Sequence, residues 1–297
     1  MALNTTQTHS VRPVSHFRRR VLVLFAAILC GLGLLVFHWV PFQRALYRAK
    51  RQCLIWQTEW HLRGDHRVVD AHFLVLYPPG HQKSAEEIAH LASDAYAGEI
   101  ANLGIHPTGR LVIAVYPNRA SLNDAVGLPP QQNNIGFYWH GVIDVLGPHG
   151  LHQAIGLPLS SYPLDGPVAH ELGHALLNLG AYGNYPSWFN EGVAQWEDLR
   201  QTGYQWLTAH NDLRTDPLYS LSTLSNDFYQ LPHQGLAYRE GLGMVEYLAH
   251  LGGPNTLANL VHVLGHGTPF DIAIKRTYGS PIQTLFDHWQ HSLHRSV

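Results

Sequence analysis

His170-Glu171-Leu172-Gly173-His174 is the stretch from which the fold of this chain is read. On a helix, residues four apart share a face, so His170 and His174 can aim their imidazoles at one point. Glu171 stands one position round, able to reach a water held at that point without joining the ligands. Two neutral imidazoles with an adjacent carboxylate base suit a hydrolytic zinc site. Histidine is abundant, with 22 in 297 residues. A random chain of such composition shows the five-residue pattern in roughly one case in 20, so its surroundings matter. Asp165-Gly166-Pro167 precedes it, with Asp165 placed as an N-cap and Pro167 in the first turn. Val168, Leu172, Ala175, Leu176 and Leu179 recur at helical spacing, and Gly180 and Gly183 are expected to end the helix. The plainer alternative is a buried helix with two satisfied core histidines. It would leave Glu171 as a buried carboxylate in need of a partner.

A catalytic zinc keeps three protein ligands and one open position. Tyr185-Pro186-Ser187-Trp188-Phe189-Asn190-Glu191-Gly192-Val193-Ala194 offers the third. Ser187 is placed to cap a second helix, and Glu191 falls in its first turns. Tucked back against the first helix, Glu191 completes a His-His-Glu set. Alternatively it is a surface acid near a helix start, where the dipole favours it. Trp188, Phe189, Val193, Ala194 and Trp196 surround it, however, and a carboxylate packed among them needs a cation.

The pair H-E-L-G-H and W-F-N-E-G resembles the gluzincin metallopeptidases, and among them the peptidase MA-like domains of bacterial membrane-associated proteins. The likeness spans about residues 68–293. His72 to Tyr77 looks like the opening strand of such a domain, Ala237 to Leu248 like the helix after the site, and Gly279 to Trp289 like the closing helix. The resemblance implies a zinc ion held by His170, His174 and Glu191, with Glu171 as general base. It also implies a tyrosine or histidine from the later helix as oxyanion donor, for which Tyr238 is the candidate. Tyr238 can equally be a core aromatic beside Leu242 and Val245. There are departures. Only sixteen residues separate His174 from Glu191. Gln195 stands where some relatives carry an aspartate that orients a zinc histidine. Nothing resembles the G-x-M-E-N motif with which aminopeptidases of this group hold a free amine.

The N-terminus is separate. Residues 1–20 form a polar tail ending in Arg18-Arg19-Arg20. Residues 21–40 are apolar apart from His38, long enough to span a bilayer, with Trp39 as an interfacial anchor. Three readings stay open: an uncleaved signal anchor, which the length favours; a cleaved signal peptide, with Gly31-Leu32-Gly33 as a weak site; and a lipoprotein at Cys30, poorly placed mid-run. Basic residues flank the run on both sides. The arginine triplet and the family resemblance tip the orientation toward N-terminus inside, with the catalytic domain extracytoplasmic, in the periplasm. Cys53 has no partner cysteine outside the span, so no intrachain disulfide forms there. Residues 41–66 read as a basic juxtamembrane helix or linker, in which Trp56 and Trp60 are expected to be packed rather than to lie on the membrane.

Residues 67–297 are read as one peptidase-like domain of α+β class, a zincin-like small mixed sheet followed by a mainly helical lobe. Strands are expected at Val68–Tyr77, Leu111–Tyr116 and Gly141–Leu146, the last at the sheet edge, with a helix over Ser84–Leu103. Leu128 to Asn134 reads as a loop, more a surface connection than a lid. His140, His149, His152, His262 and His266 show no ligand spacing. Apolar content of 45% supplies a core, and a net charge of −2 argues against a nucleic-acid partner. The expected activity is membrane-anchored, zinc-dependent hydrolysis of peptide bonds in peptide or protein substrates, within the chain rather than from its end. The alternative is a non-catalytic anchored binding or assembly module that keeps the fold.

Overall fold

The computed structural model describes residues 40–293 apart from 140 and 254. The expected tail, almost all of the expected anchor, and His140 lie outside the described residues. Among those residues no helix is long and apolar enough to cross a membrane. The chain divides into two compact units, Met1–Leu46 and Tyr47–Val297. In the first, residues 40–46 are helical. The second holds the sheet and the helical lobe.

It opens with α1, residues 47–61. There follow β1 (His66–Val69), β2 (Phe73–Tyr77), α2 (Gln82–Leu103), β3 (Leu111–Tyr116), α3 (Arg119–Ala125), β4 (Gly136–Trp139) and β5 (Val142–Leu146). Then come α4 (Pro148–Ile155), α5 (Tyr162–Asp165), α6 (Val168–Ala181), α7 (Ser187–Thr202) and α8 (Leu221–Asp227). The chain closes with α9 (Gln234–Gly252), α10 (Thr256–Gly265), α11 (Phe270–Tyr278) and α12 (Ile282–Leu293). This is the expected order: a small mixed sheet, then a helical lobe.

The five strands lie in the order β1-β2-β3-β5-β4. The inner pairs β2/β3 and β3/β5 are parallel, and the outer pairs β1/β2 and β4/β5 are antiparallel. Every residue of β3 and β5 is buried, as expected of strands covered on both faces. Two expectations are corrected here. The run Val68–Tyr77 is a hairpin, because Asp70 Oδ1 accepts from the backbone N–H of His72 at 2.7 Å and of Phe73 at 2.6 Å and turns the chain. The strand expected at the edge lies inside instead, as Val142–Leu146, and the edge is β4. Gly141, at φ 117, makes the reversal between them.

The helix carrying the motif also differs at its ends. Asp165 closes α5 rather than capping α6, whose N-cap is Pro167 without a side-chain bond. Gly180 lies within α6 because a Cβ there would strike Ile105 and Val261, so it serves packing. The helix stops two residues later at Tyr182, left-handed at φ 54. Likewise Pro186, not Ser187, is the N-cap of α7. Leu172, Leu176 and Leu177 are fully buried, each contributing about 2–3 kcal/mol of apolar burial. Gly192, next to Glu191, lets α7 and α9 meet: a Cβ there would collide with the Gly241 carbonyl. That contact draws α9, and with it Tyr238, up to the site. On α1, Trp56 and Trp60 are 63% and 56% exposed, against the expectation that they pack. They lean on each other at 6.0 Å, and the Arg63 guanidinium covers Trp60.

Candidate metal centre

One turn of α6 separates His170 from His174, and their Nε2 atoms come within 3.1 Å. From α7, Glu191 Oε2 lies 3.5 Å from the first and 3.4 Å from the second. Ligand atoms bound at about 2.0–2.2 Å to a tetrahedral zinc lie about 3.3 Å from one another, so the three atoms fit such an ion. The donor chemistry, two imidazoles and one carboxylate, fits as well. Among the described residues this is the one group of three or more such side chains that converges. Among the described residues, His149, His152, His262 and His266 take no part in it.

The electrostatics follow from burial and mutual contact. Burial alone would raise the Glu191 carboxyl, but the two histidines outweigh it and hold it well below the usual range. Burial would lower His174, but Glu191 dominates and raises it to about 9. His170, where burial wins, is lowered. Protons and a metal ion compete for these same lone pairs.

The supporting contacts come from residues that spacing does not reveal. His174 Nδ1 meets Asn190 Oδ1 at 3.0 Å, and with Nδ1 as donor Nε2 is free to ligate. The Tyr229 hydroxyl donates to Glu191 Oε1 at 2.6 Å. The Tyr238 hydroxyl also reaches the Glu191 carboxylate. Gln195 turns away from the histidines: its amide donates to the Tyr238 carbonyl at 2.7 Å and braces α7 against α9. His174 is thus held by Asn190 rather than by the residue at 195. Asn190 could have been suspected from its place inside W-F-N-E-G. Tyr229 lies 38 residues beyond Glu191 in a short 3-10 turn, with no spacing to mark it.

Glu171 is 6% exposed. Burial pushes its carboxyl up to about 8, and the backbone N–H of Tyr138 on β4 donates to it. Gly136, two residues earlier, lies so near that a Cβ would stand 2.9 Å from Glu171 Oε1. The edge strand therefore runs directly beside the carboxylate. A cleft of about 460 Å³ opens there, lined by Gly136, His170, Glu171 and Tyr238 among others. Asn133 and Asn134, from the loop expected to be a plain connection, also face it. Of the residues singled out from the sequence, His170, Glu171 and Tyr238 line this cleft, and His174 and Glu191 converge with His170. Cys53 is exposed and free.

A search among curated proteins finds no match to this chain. Residues 92–295, which carry α6, α7, α9 and the whole His-His-Glu cluster, match the Peptidase MA superfamily, and the chain belongs to that family.

Proposed function

We propose that the protein is a zinc-dependent endopeptidase, held at a membrane by residues 21–40 with its catalytic domain on the extracytoplasmic side. The observation that carries the reading is the division of labour on α6. His170 and His174 converge with Glu191, while Glu171 faces the same cleft outside that set. A purely structural zinc takes four protein ligands and has no use for a neighbouring free carboxylate.

When bound, zinc supplies a Lewis acid that polarises a carbonyl and makes water acidic near neutral pH. Glu171 accepts a proton from the attacking water as its oxygen bonds to the peptide carbon. It returns that proton to the amide nitrogen as the C–N bond breaks, so the carboxylate ends unchanged. The N–H of Tyr138 fixes the Glu171 carboxylate for both transfers. The Tyr238 hydroxyl, on the cleft wall, donates to the oxygen that gains charge. Among the described residues strand β4 pairs only with β5, leaving its outer backbone edge beside Glu171 for an extended substrate segment. Pairing of that kind needs no free chain end, which supports internal cleavage.

Metal analysis of the purified protein with a peptidase assay tests the reading. It expects zinc near one per chain, lost in His174→Ala, and cleavage of N-terminally blocked peptides. Unchanged zinc in the variant contradicts the site, and intact zinc without any cleavage favours a binding or assembly module. For the anchor, membrane-associated substrates are followed with the full chain and with a chain lacking residues 1–40 at matched amount and compartment. Slower processing by the shortened chain is expected, since tethering raises local concentration. Equal rates contradict it.

A further inference from the structure

The cleft beside Glu171 carries a second chemical feature. Its lining includes two carboxylates, Asp165 at the end of α5 and Asp198 on α7, and the aromatic rings of Tyr204 and Trp206. Asp198 is only 5% exposed. Thr202 donates to its Oδ1 at 3.1 Å. Asp165, expected to cap α6, makes no such bond there and is left to face the cleft.

Among the described residues, no lysine or arginine lines this cleft. Arg239 reaches Gln205 at 3.2 Å, and its charged neighbours are Glu246 and Asp212. Arg200 lies over the Trp196 ring, 4.9 Å from its centre. A nearly buried carboxylate without a counter-charge is costly. Two of them repel, and burial with the neighbouring Asp165 raises the Asp198 carboxyl to about 7. An arriving cation relieves both costs. Trp206 adds a π face, 40% exposed and set edge-on to Tyr238 at 5.5 Å.

We infer that Asp198 and Asp165, with Trp206, form a specificity pocket for a cationic group of the substrate, an ammonium or guanidinium held a short distance from the scissile bond. The inference rests on the peptidase reading and names the substrate class for it. The same charge can come from a lysine or arginine side chain or from a free amino terminus.

The test uses the full chain and peptide pairs that differ only by lysine against norleucine, walked along the sequence, each with a free and an acetylated terminus. A preference for lysine of at least about tenfold in kcat/KM at one position is expected, as a charge-assisted contact gives. Asp198→Asn and Asp165→Asn should each bring that ratio toward one, with folding checked by circular dichroism. A preference that survives acetylation assigns the pocket to a side chain; one seen only with free termini assigns it to the amine. A ratio of one in the wild type overturns the pocket while leaving the peptidase reading intact, as does an unchanged ratio in both folded variants. Fluorescence anisotropy of the same peptides on Glu171→Gln gives a readout without turnover. If no peptide is cut but the lysine peptide binds tighter and Asp198→Asn abolishes the difference, the pocket stands and the peptidase reading falls. Equal binding of both peptides overturns the pocket.

Discussion

The Tyr229 hydroxyl donates to Glu191 Oε1 at 2.6 Å, while Oε2 of the same carboxylate faces the Nε2 atoms of His170 and His174 at 3.5 and 3.4 Å. One oxygen is tied down so that the other is aimed. Tyr229→Phe keeps the ring and frees the carboxylate to rotate. Zinc affinity is expected to fall by about 10–100-fold, the usual effect of losing a contact that orients a ligand. Competition against a chelator measures it, and wild-type affinity would assign the hydroxyl to packing.

Tyr238 separates from Tyr229 by its effect on rate. Its ring packs on Phe228 and Trp206, contacts that Tyr238→Phe retains. Loss of the hydroxyl is expected to lower kcat on the order of 10²-fold with KM little changed, as for a donor used only in the transition state. Steady-state kinetics with a blocked peptide reads the split. Wild-type kcat would end the assignment.

Gly136 marks where the edge strand passes the base. In Gly136→Ala the new Cβ would stand 2.9 Å from Glu171 Oε1 and 2.8 Å from Pro167 Cβ, so the carboxylate or the strand must shift. Such a displacement costs catalysis on the order of 10²-fold when the reacting group moves by about 1 Å. Zinc content should stay at the wild-type level, because the atoms nearest the new Cβ belong to Pro167 and Glu171, not to the three ligands. Activity at the wild-type level would remove β4 from the account of the site.

A different consequence concerns stability. Glu197, on α7 behind the motif helix, is fully buried, and one of its oxygens lacks a partner. Burial pushes its carboxyl from about 4.5 up to about 8, against the opposing bonds from Asn102 and Gln201. The folded chain thus keeps a proton that the unfolded chain gives up, so this group's contribution is whole below about pH 4.5 and is lost as pH rises toward 8. Glu197→Gln removes the titration. It should match the wild type near pH 4.5 and exceed it above pH 8 by about 1–3 kcal/mol, the scale of an uncompensated buried polar group. Thermal unfolding across that range checks the sign, and a variant less stable at high pH would reverse it.

The sequence carried the first layer of the site because helical geometry ties spacing to direction. His170 and His174 on one face, and Glu191 within a run of large apolar residues, follow from periodicity and the cost of burying a charge. Strand Leu111–Tyr116 was equally legible, since six apolar residues between turns have few other uses. What stayed hidden depends on tertiary contact. Gly136–Trp139 is too short and too aromatic to announce an edge strand, yet it delivers the Tyr138 N–H to Glu171. Tyr229 comes from the turn just before α9, which meets α7 at Gly192 and Gly241, and Asp198 follows Glu191 two turns along α7. Asp165 looked like a cap because of its place before the helix, but Pro167 already sets that turn and needs no side-chain acceptor.

The central claim is that Glu171 moves the proton while His170, His174 and Glu191 hold the ion. Zinc content and cleavage of an N-terminally acetylated peptide, measured together on the full chain and on Glu171→Gln, test it most directly. The account predicts zinc near one per chain in both proteins and a loss of cleavage of about 10²–10⁴-fold in the variant. Cleavage at the wild-type rate by a zinc-loaded Glu171→Gln protein would contradict it.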